Sequence, residues 1–120
     1  MLNTKEKTKA IIDALEDIKA EDITVIDTSK LSDMFDCMVI ASAKSSRQTK
    51  AIADNVVVKL KELGEPVSGR EGGESGEWIL VDLGEVLVHV MQPAVRQYYN
   101  LEELWSKAQA GRHKLAQLAE

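Results

Sequence analysis

The chain reads as one α/β domain, with a mixed sheet of about five strands and helices mainly on one face. Three observations point there. Segments with apolar residues at helical spacing alternate with short β-branched segments. The run Phe35 to Ala41 (FDCMVIA) is apolar on both of the faces a strand would present, which places it inside a sheet. Two further apolar runs, Trp78 to Asp82 and Val86 to Met91, flank Leu83-Gly84, where a glycine allows a tight reversal.

Asn3 and Glu6 have the spacing of a capping box, and Ile11, Leu15 and Ile18 repeat at helical spacing, which predicts a first amphipathic helix to about Lys19. Asp22 to Asp27 (DITVID) and the run from Phe35 are strands joined by a polar connection. Ser45 with Gln48 repeats the capping spacing. Ile52, Val56, Leu60 and Leu63 then mark one face of a second helix, which Gly64 closes and Pro66 follows. Val67 to Glu77 is rich in glycine and reads as a short edge strand running into a loop. In the hairpin, pairing Val81 with Val86 puts Ile79, Val81, Val86, Val88 and Val90 on one face. Trp78, Leu80, Asp82, Leu87, His89 and Met91 fall on the other. Pro93 suits the first position of a short helix. Asn100 with Glu103 is a third capping box, in which Tyr99 and Leu104 occupy the positions of a hydrophobic staple. Residues 1–107 make the domain, and residues 108–120 a C-terminal tail expected to be a frayed helix.

Composition narrows the function. At 120 residues the chain buries a core without staples, and its single cysteine, Cys37, rules out an internal disulfide framework. The N-terminal segment mixes acids with bases and resembles neither a secretory signal nor a transit peptide, and no apolar run is long enough for a membrane span. The expectation is a cytoplasmic protein with no membrane partner. The net charge is −5, and Glu71, Glu74, Glu77, Asp82 and Glu85 lie in a stretch without Lys or Arg. That argues against nucleic-acid wrapping, which needs clustered positive charge, and favours a basic protein partner.

Catalytic parts are missing. One Cys and two His at no ligand spacing do not make a metal site, and no cofactor motif is present. Cys37 lies in an apolar run as an inert small hydrophobe, and His89 as a packed or interface histidine. Ser45, Ser46 and Arg47 open a helix that offers a phosphate its N–H groups, but no Gly-rich phosphate loop precedes them, and Asp82 has Leu80 two residues before it in place of a second carboxylate. A nucleotide-binding or nucleotidyltransferase-like enzyme using Ser45, Ser46 and Asp82 is the alternative, and no enzymatic activity is the leading reading.

What stands out is aromatic placement. Both tryptophans and both tyrosines, four of only five aromatic residues, lie between Trp78 and Trp105. Trp and Tyr are the commonest interface anchors, so a partner-binding surface of Trp78, Leu80, Asp82, His89, Met91 and Tyr98 is expected, with Trp105 in reserve. Arg47 and Arg96 are candidate phosphate or RNA contacts. The same face is also suited to closing a homodimer.

The residues DTS at 27–29, FDCMVIAS at 35–42, SSRQTKAIAD at 45–54, EG at 71–72, EWILVDLGEVLVHVM at 77–91 and RQYYNLEELW at 96–105 together resemble the bacterial ribosomal silencing factor (Iojap/RsfS) family, over residues 5 to 107. Phe35 stands where that family often has Tyr, and Cys37 where an aliphatic is common. The resemblance implies a nucleotidyltransferase-like fold without catalytic residues. It also implies binding to the large ribosomal subunit through its fourteenth ribosomal protein, beside which Arg47 or Arg96 would touch ribosomal RNA at the periphery. Such binding would block joining of the small subunit and repress translation under nutrient limitation.

Overall fold

In the computed structural model, which describes residues 2–72 and 74–105, helix α1 (Thr4–Asp17) starts at its anticipated cap. Asn3 Oδ1 accepts from the Glu6 N–H (2.8 Å) and the Glu6 carboxylate accepts from the Asn3 N–H (3.1 Å). Strands β1 (Glu21–Asp27) and β2 (Cys37–Ser42) follow, then helix α2 (Ser46–Glu62). Ser45 caps α2 by accepting from the Gln48 N–H (3.1 Å). The Gln48 side chain accepts from the Lys44 N–H (2.7 Å) and donates to the carbonyls of Ile18 and Lys19, which ties the start of α2 to the end of α1. Strands β3 (Gly69–Glu71), β4 (Trp78–Asp82) and β5 (Val86–Met91) and helix α3 (Pro93–Tyr99) complete the order, and residues 101–105 are helical. The proposed tail helix lies outside the described residues.

The five strands form one mixed sheet in the order β1-β2-β5-β4-β3. Only β2 and β5 are parallel, and the crossover between them carries α2 and the two strands that complete the far side. β2 is buried along its whole length, as its continuous apolar run requires. Beneath α1 and α2 lies the main core: Cys37, Val39 and Ala41 of β2, Ile79 and Val81 of β4, and Val86, Val88 and Val90 of β5 meet Ile11, Leu15, Ile52, Val56 and Leu60.

The hairpin register differs from the expected one by two residues. Val81 stands opposite Val88, not Val86, and Leu83 N–H donates to the Val86 carbonyl (3.0 Å), so the loop is Gly84-Glu85. Gly84 has φ +87° and Glu85 does not share a positive φ, the pattern of a reversal matched to strand twist. Because the slip is even, each residue keeps its face.

A buried lysine fastens the end of the sheet to the helices. Lys7 Nζ donates to the Leu83 carbonyl (2.6 Å) and pairs with Glu85 (3.2 Å) and with Glu65 (3.4 Å), whose other oxygen accepts from the Leu2 N–H (2.6 Å). These bonds hold the Glu65 carboxyl below the usual carboxylate range, the Leu2 N–H first and Lys7 after it.

Candidate partner-binding surface

The sheet face away from α1 and α2 is only partly covered. On it lie Met38 and Ile40 of β2, His89 and Met91 of β5, Trp78, Leu80 and Asp82 of β4, and Glu71 of β3, as the register dictates. A second, smaller core forms here. Met38, Ile40 and Met91 are buried, with Ile26, Phe35, Trp78, Val95, Leu101 and Trp105 packed around them. Trp105 meets Phe35 edge to face, with ring centroids 5.7 Å apart. Met91 is thus fully enclosed and Trp105 is a packing residue. Both leave the expected contact set, because residues 93–105 fold back over the β1–β2 side of this face.

Arg96 makes that covering hold. Its Nη1 donates to Ser42 Oγ (2.8 Å), Nη2 to Thr24 Oγ1 (3.0 Å) and Nε to the Glu102 carboxylate (2.6 Å), and only 13% of its side chain is exposed. A guanidinium committed to three protein partners is not available to a phosphate, which corrects the expectation for Arg96. Arg47 is exposed in the first turn of α2, on a different element from the aromatic surface.

The β4–β3 side stays open. Trp78, Leu80, Asp82 and Leu87 are half-buried, while Tyr98 and Tyr99 of α3 are 82% and 52% exposed. The Trp78 ring lies 4.8 Å from that of Tyr99, which in turn meets Tyr98 edge on at 5.0 Å. The staple expected from Tyr99 and Leu104 therefore buries little, for Leu104 is 60% exposed and Tyr99 turns to the indole. Asn100 does cap residues 101–105, accepting from the Glu103 N–H (3.3 Å). The Glu103 carboxylate accepts from the Asn100 side-chain amide (2.5 Å), not from its backbone as in a full capping box. Asn100 also ends α3 in the left-handed conformation.

His89 supports the indole from below. The Trp78 Nε1–H donates to His89 Nδ1 (2.9 Å), so the neutral imidazole carries its proton on Nε2, which is buried without a partner among the described residues. Burial pushes its pKa down to about 4, and at neutral pH the ring is an uncharged acceptor. At 6% exposure His89 is a positioning residue beneath the surface, not part of it.

Beside Trp78 and Leu80 is a hollow of about 290 Å³ whose other walls are Glu71 and Gly72. Gly72 has φ +89°, and a β-carbon there would come within 2.1 Å of the Trp78 carbonyl oxygen, so only glycine lets the loop close on β4. Glu71 and Tyr99 were not among the expected contact residues. Glu71 is placed by β3 pairing across from Leu80, which a three-residue strand gives too little pattern to predict, and Tyr99 was hidden by its cap position. Asp82 accepts from the Gly84 N–H (2.9 Å) and Ser45 from Gln48, so both side chains serve local turns. No cluster of three His, Cys, Asp or Glu able to hold a metal occurs among the described residues, and no described helix is long and apolar enough to cross a membrane.

The family described as "Ribosomal silencing factor during starvation" matches residues 2–120. The chain belongs to the ribosomal silencing factor family. Ribosomal silencing factor RsfS of Chromobacterium violaceum is 56% identical over 104 residues, 87% of this chain and 85% of that protein. A crystal structure of a Chromobacterium violaceum protein superposes with a TM-score of 0.86 at 55% identity, covering 88% of each chain. More distantly, the mouse mitochondrial assembly of ribosomal large subunit protein 1 is 32% identical over 99 residues, 80% of this chain and 43% of that protein. The five-stranded mixed sheet is thus shared with a solved Chromobacterium violaceum structure, and ribosomal silencing is the role for which the Chromobacterium violaceum relative is named.

Proposed function

We propose that this silencing factor binds the large ribosomal subunit through the open part of its second sheet face, docking on the fourteenth ribosomal protein and sterically blocking the small subunit. It does so as a cytoplasmic binding protein without catalytic activity, lowering translation under nutrient limitation. The observation that carries this reading is the row Trp78–Tyr99–Tyr98, partly exposed and contiguous with an acidic-rimmed hollow. Exposed aromatics in contact with one another supply hot-spot area at low entropy cost. Glu71 beside the Trp78 ring fits a basic side chain, its stem on the indole and its head at the carboxylate. The large-subunit assignment is supported by the family and by the name of the mouse relative, which refers to assembly of that subunit.

The contact residues in this reading are Trp78, Leu80, Asp82 and Tyr98 from the expected set, joined by Glu71 and Tyr99. The test is co-sedimentation of purified large subunits with wild type, Trp78→Ala and Tyr98→Ala, alongside a subunit-joining assay. Each variant is expected to lose about 2 kcal/mol of binding, roughly thirtyfold, and to release subunit joining in proportion. Folded variants that co-sediment at wild-type affinity would place the contact elsewhere.

A further inference from the structure

The proposed contact surface is assembled from two parts of the chain. Trp78, Leu80 and Asp82 belong to β4 and Glu71 to β3, whereas Tyr98 and Tyr99 end α3, the helix laid over the sheet after β5. The row Trp78–Tyr99–Tyr98 therefore crosses a seam. On one side Trp78 is fixed by strand pairing opposite Met91 and by its bond to His89. On the other, the tyrosines go where α3 goes, and apolar burial does little to set that place: no residue of α3 is buried, and Val95 is what it contributes to the second core. The start of the helix is held at Gln92, whose backbone N–H donates to the Glu77 carbonyl (2.9 Å) and whose side-chain amide donates to the Gly76 carbonyl (3.1 Å). Beyond the aromatic contact itself, the rest is held by Arg96. Its guanidinium joins α3 to Thr24 of β1 and Ser42 of β2, and to Glu102 in the helical residues 101–105, where Leu101 and Trp105 pack on the second core.

Granted the contact surface proposed above, on which this rests, we infer that Arg96 is a positioning residue for partner binding. It touches no partner; clamped to β1 and β2, it holds Tyr98 and Tyr99 against Trp78 in the arrangement that docks. A guanidinium suits that task because its planar fork donates in fixed directions, so bonds to three partners set an orientation, where the rotatable ammonium of a lysine sets little more than a distance. The groups facing it are accounted for: Glu102 is the carboxylate paired with it, and Thr24 and Ser42 are hydroxyl acceptors. Aromatic rings ordered before docking cost less entropy at docking, so the clamp acts on affinity without contributing contact area.

The experiment is a double-mutant cycle read as co-sedimentation with purified large subunits, on variants of the full chain whose folding is checked by circular dichroism. Arg96→Leu is expected to weaken binding at least about tenfold, and less than about twofold in a chain that already carries Tyr98→Ala and Tyr99→Ala, because the groups through which it acts are gone. Arg96→Lys keeps the charge and is expected to lose most of the same affinity, which a direct phosphate contact would not. Should Arg96→Leu not fold, Thr24→Val removes one of the three bonds with little change in side-chain shape, and is expected to weaken binding about threefold by the same tyrosine-dependent route. In the free protein, the nuclear Overhauser contact between the Trp78 and Tyr99 rings is expected to weaken in both variants. An equal loss of binding with and without the tyrosines overturns the proposal, as does a ring contact unchanged by Arg96→Leu. Weakened binding in the tyrosine variant beside wild-type affinity in Arg96→Leu would overturn this role alone, whereas wild-type affinity in the tyrosine variant would overturn the contact surface and this role with it.

Discussion

The His89–Trp78 pair makes a quantitative prediction about stability and pH. In the unfolded chain an imidazole titrates near its ordinary value of 6.5, and in the fold burial pushes it down to about 4. The native state thus binds fewer protons than the unfolded state across this window. Stability is complete above pH 6.5, declines as pH falls, and reaches its full loss below pH 4. A difference of about 2.5 pKa units corresponds to roughly 3 kcal/mol, of which about 2 kcal/mol falls between pH 7 and pH 5. The shifted carboxylates Asp27 and Glu65 are held below their usual values and lose their contribution in more acidic solution. The assay is urea unfolding at pH 7, 6 and 5 in a His113→Gln background, which leaves His89 as the only histidine. His89→Phe in the same background should be less stable at pH 7, because it strands the indole N–H, yet nearly flat with pH. A parent whose stability varies by under about 0.5 kcal/mol over the interval, or a variant that keeps the full slope, would refute burial of a neutral imidazole as the cause.

Other expectations follow from the anchoring contacts. Arg96→Leu should lower stability by about 2 kcal/mol or more, because it strands Ser42, Thr24 and Glu102 together, whereas Arg47→Ala on the surface stays within about 0.5 kcal/mol; chemical denaturation measures both. Gly72→Ala forces a β-carbon against the Trp78 carbonyl and should shift amide exchange in β3 and β4 while leaving α1 protected. Lys7→Met leaves Glu65 and Glu85 without their cation and should lower the Tm more than Lys7→Met combined with Glu65→Leu, since a lone buried charge costs more than a neutral pair.

The helices, the strand order of burial and the face of every hairpin residue were legible because each rests on local pattern: caps at Asn3 and Ser45, the helical stripe from Ile52 to Leu60, the β-branched alternation from Ile79 to Val90. The proposed contact surface was legible only in part. Sequence assigns Met91 and Trp78 to the same face, and that is correct, but it does not show that residues 93–105 cover one half of the face and leave the other open. That outcome depends on Arg96 reaching Thr24 and Ser42, which lie 72 and 54 residues away in the chain. An arginine in a stretch of aromatics looks like a phosphate ligand until its partners are known.

The same anchoring explains why part of the second sheet face is left open. β2 is apolar on both faces, so a sheet covered on one side alone would expose Met38 and Ile40 to water. The chain answers with a seven-residue helix and a following turn, too short to span all five strands. Pinned by Arg96 over β1 and β2, they bury the side that folding most needs buried, and what is left bare is β4 and β3. There the aromatic rings of Trp78, Tyr98 and Tyr99 are held by one another and by the neutral imidazole of His89. Rigid aromatic area on an uncovered sheet face loses little entropy on docking, so the incompleteness of the second layer is the physical origin of the proposed site.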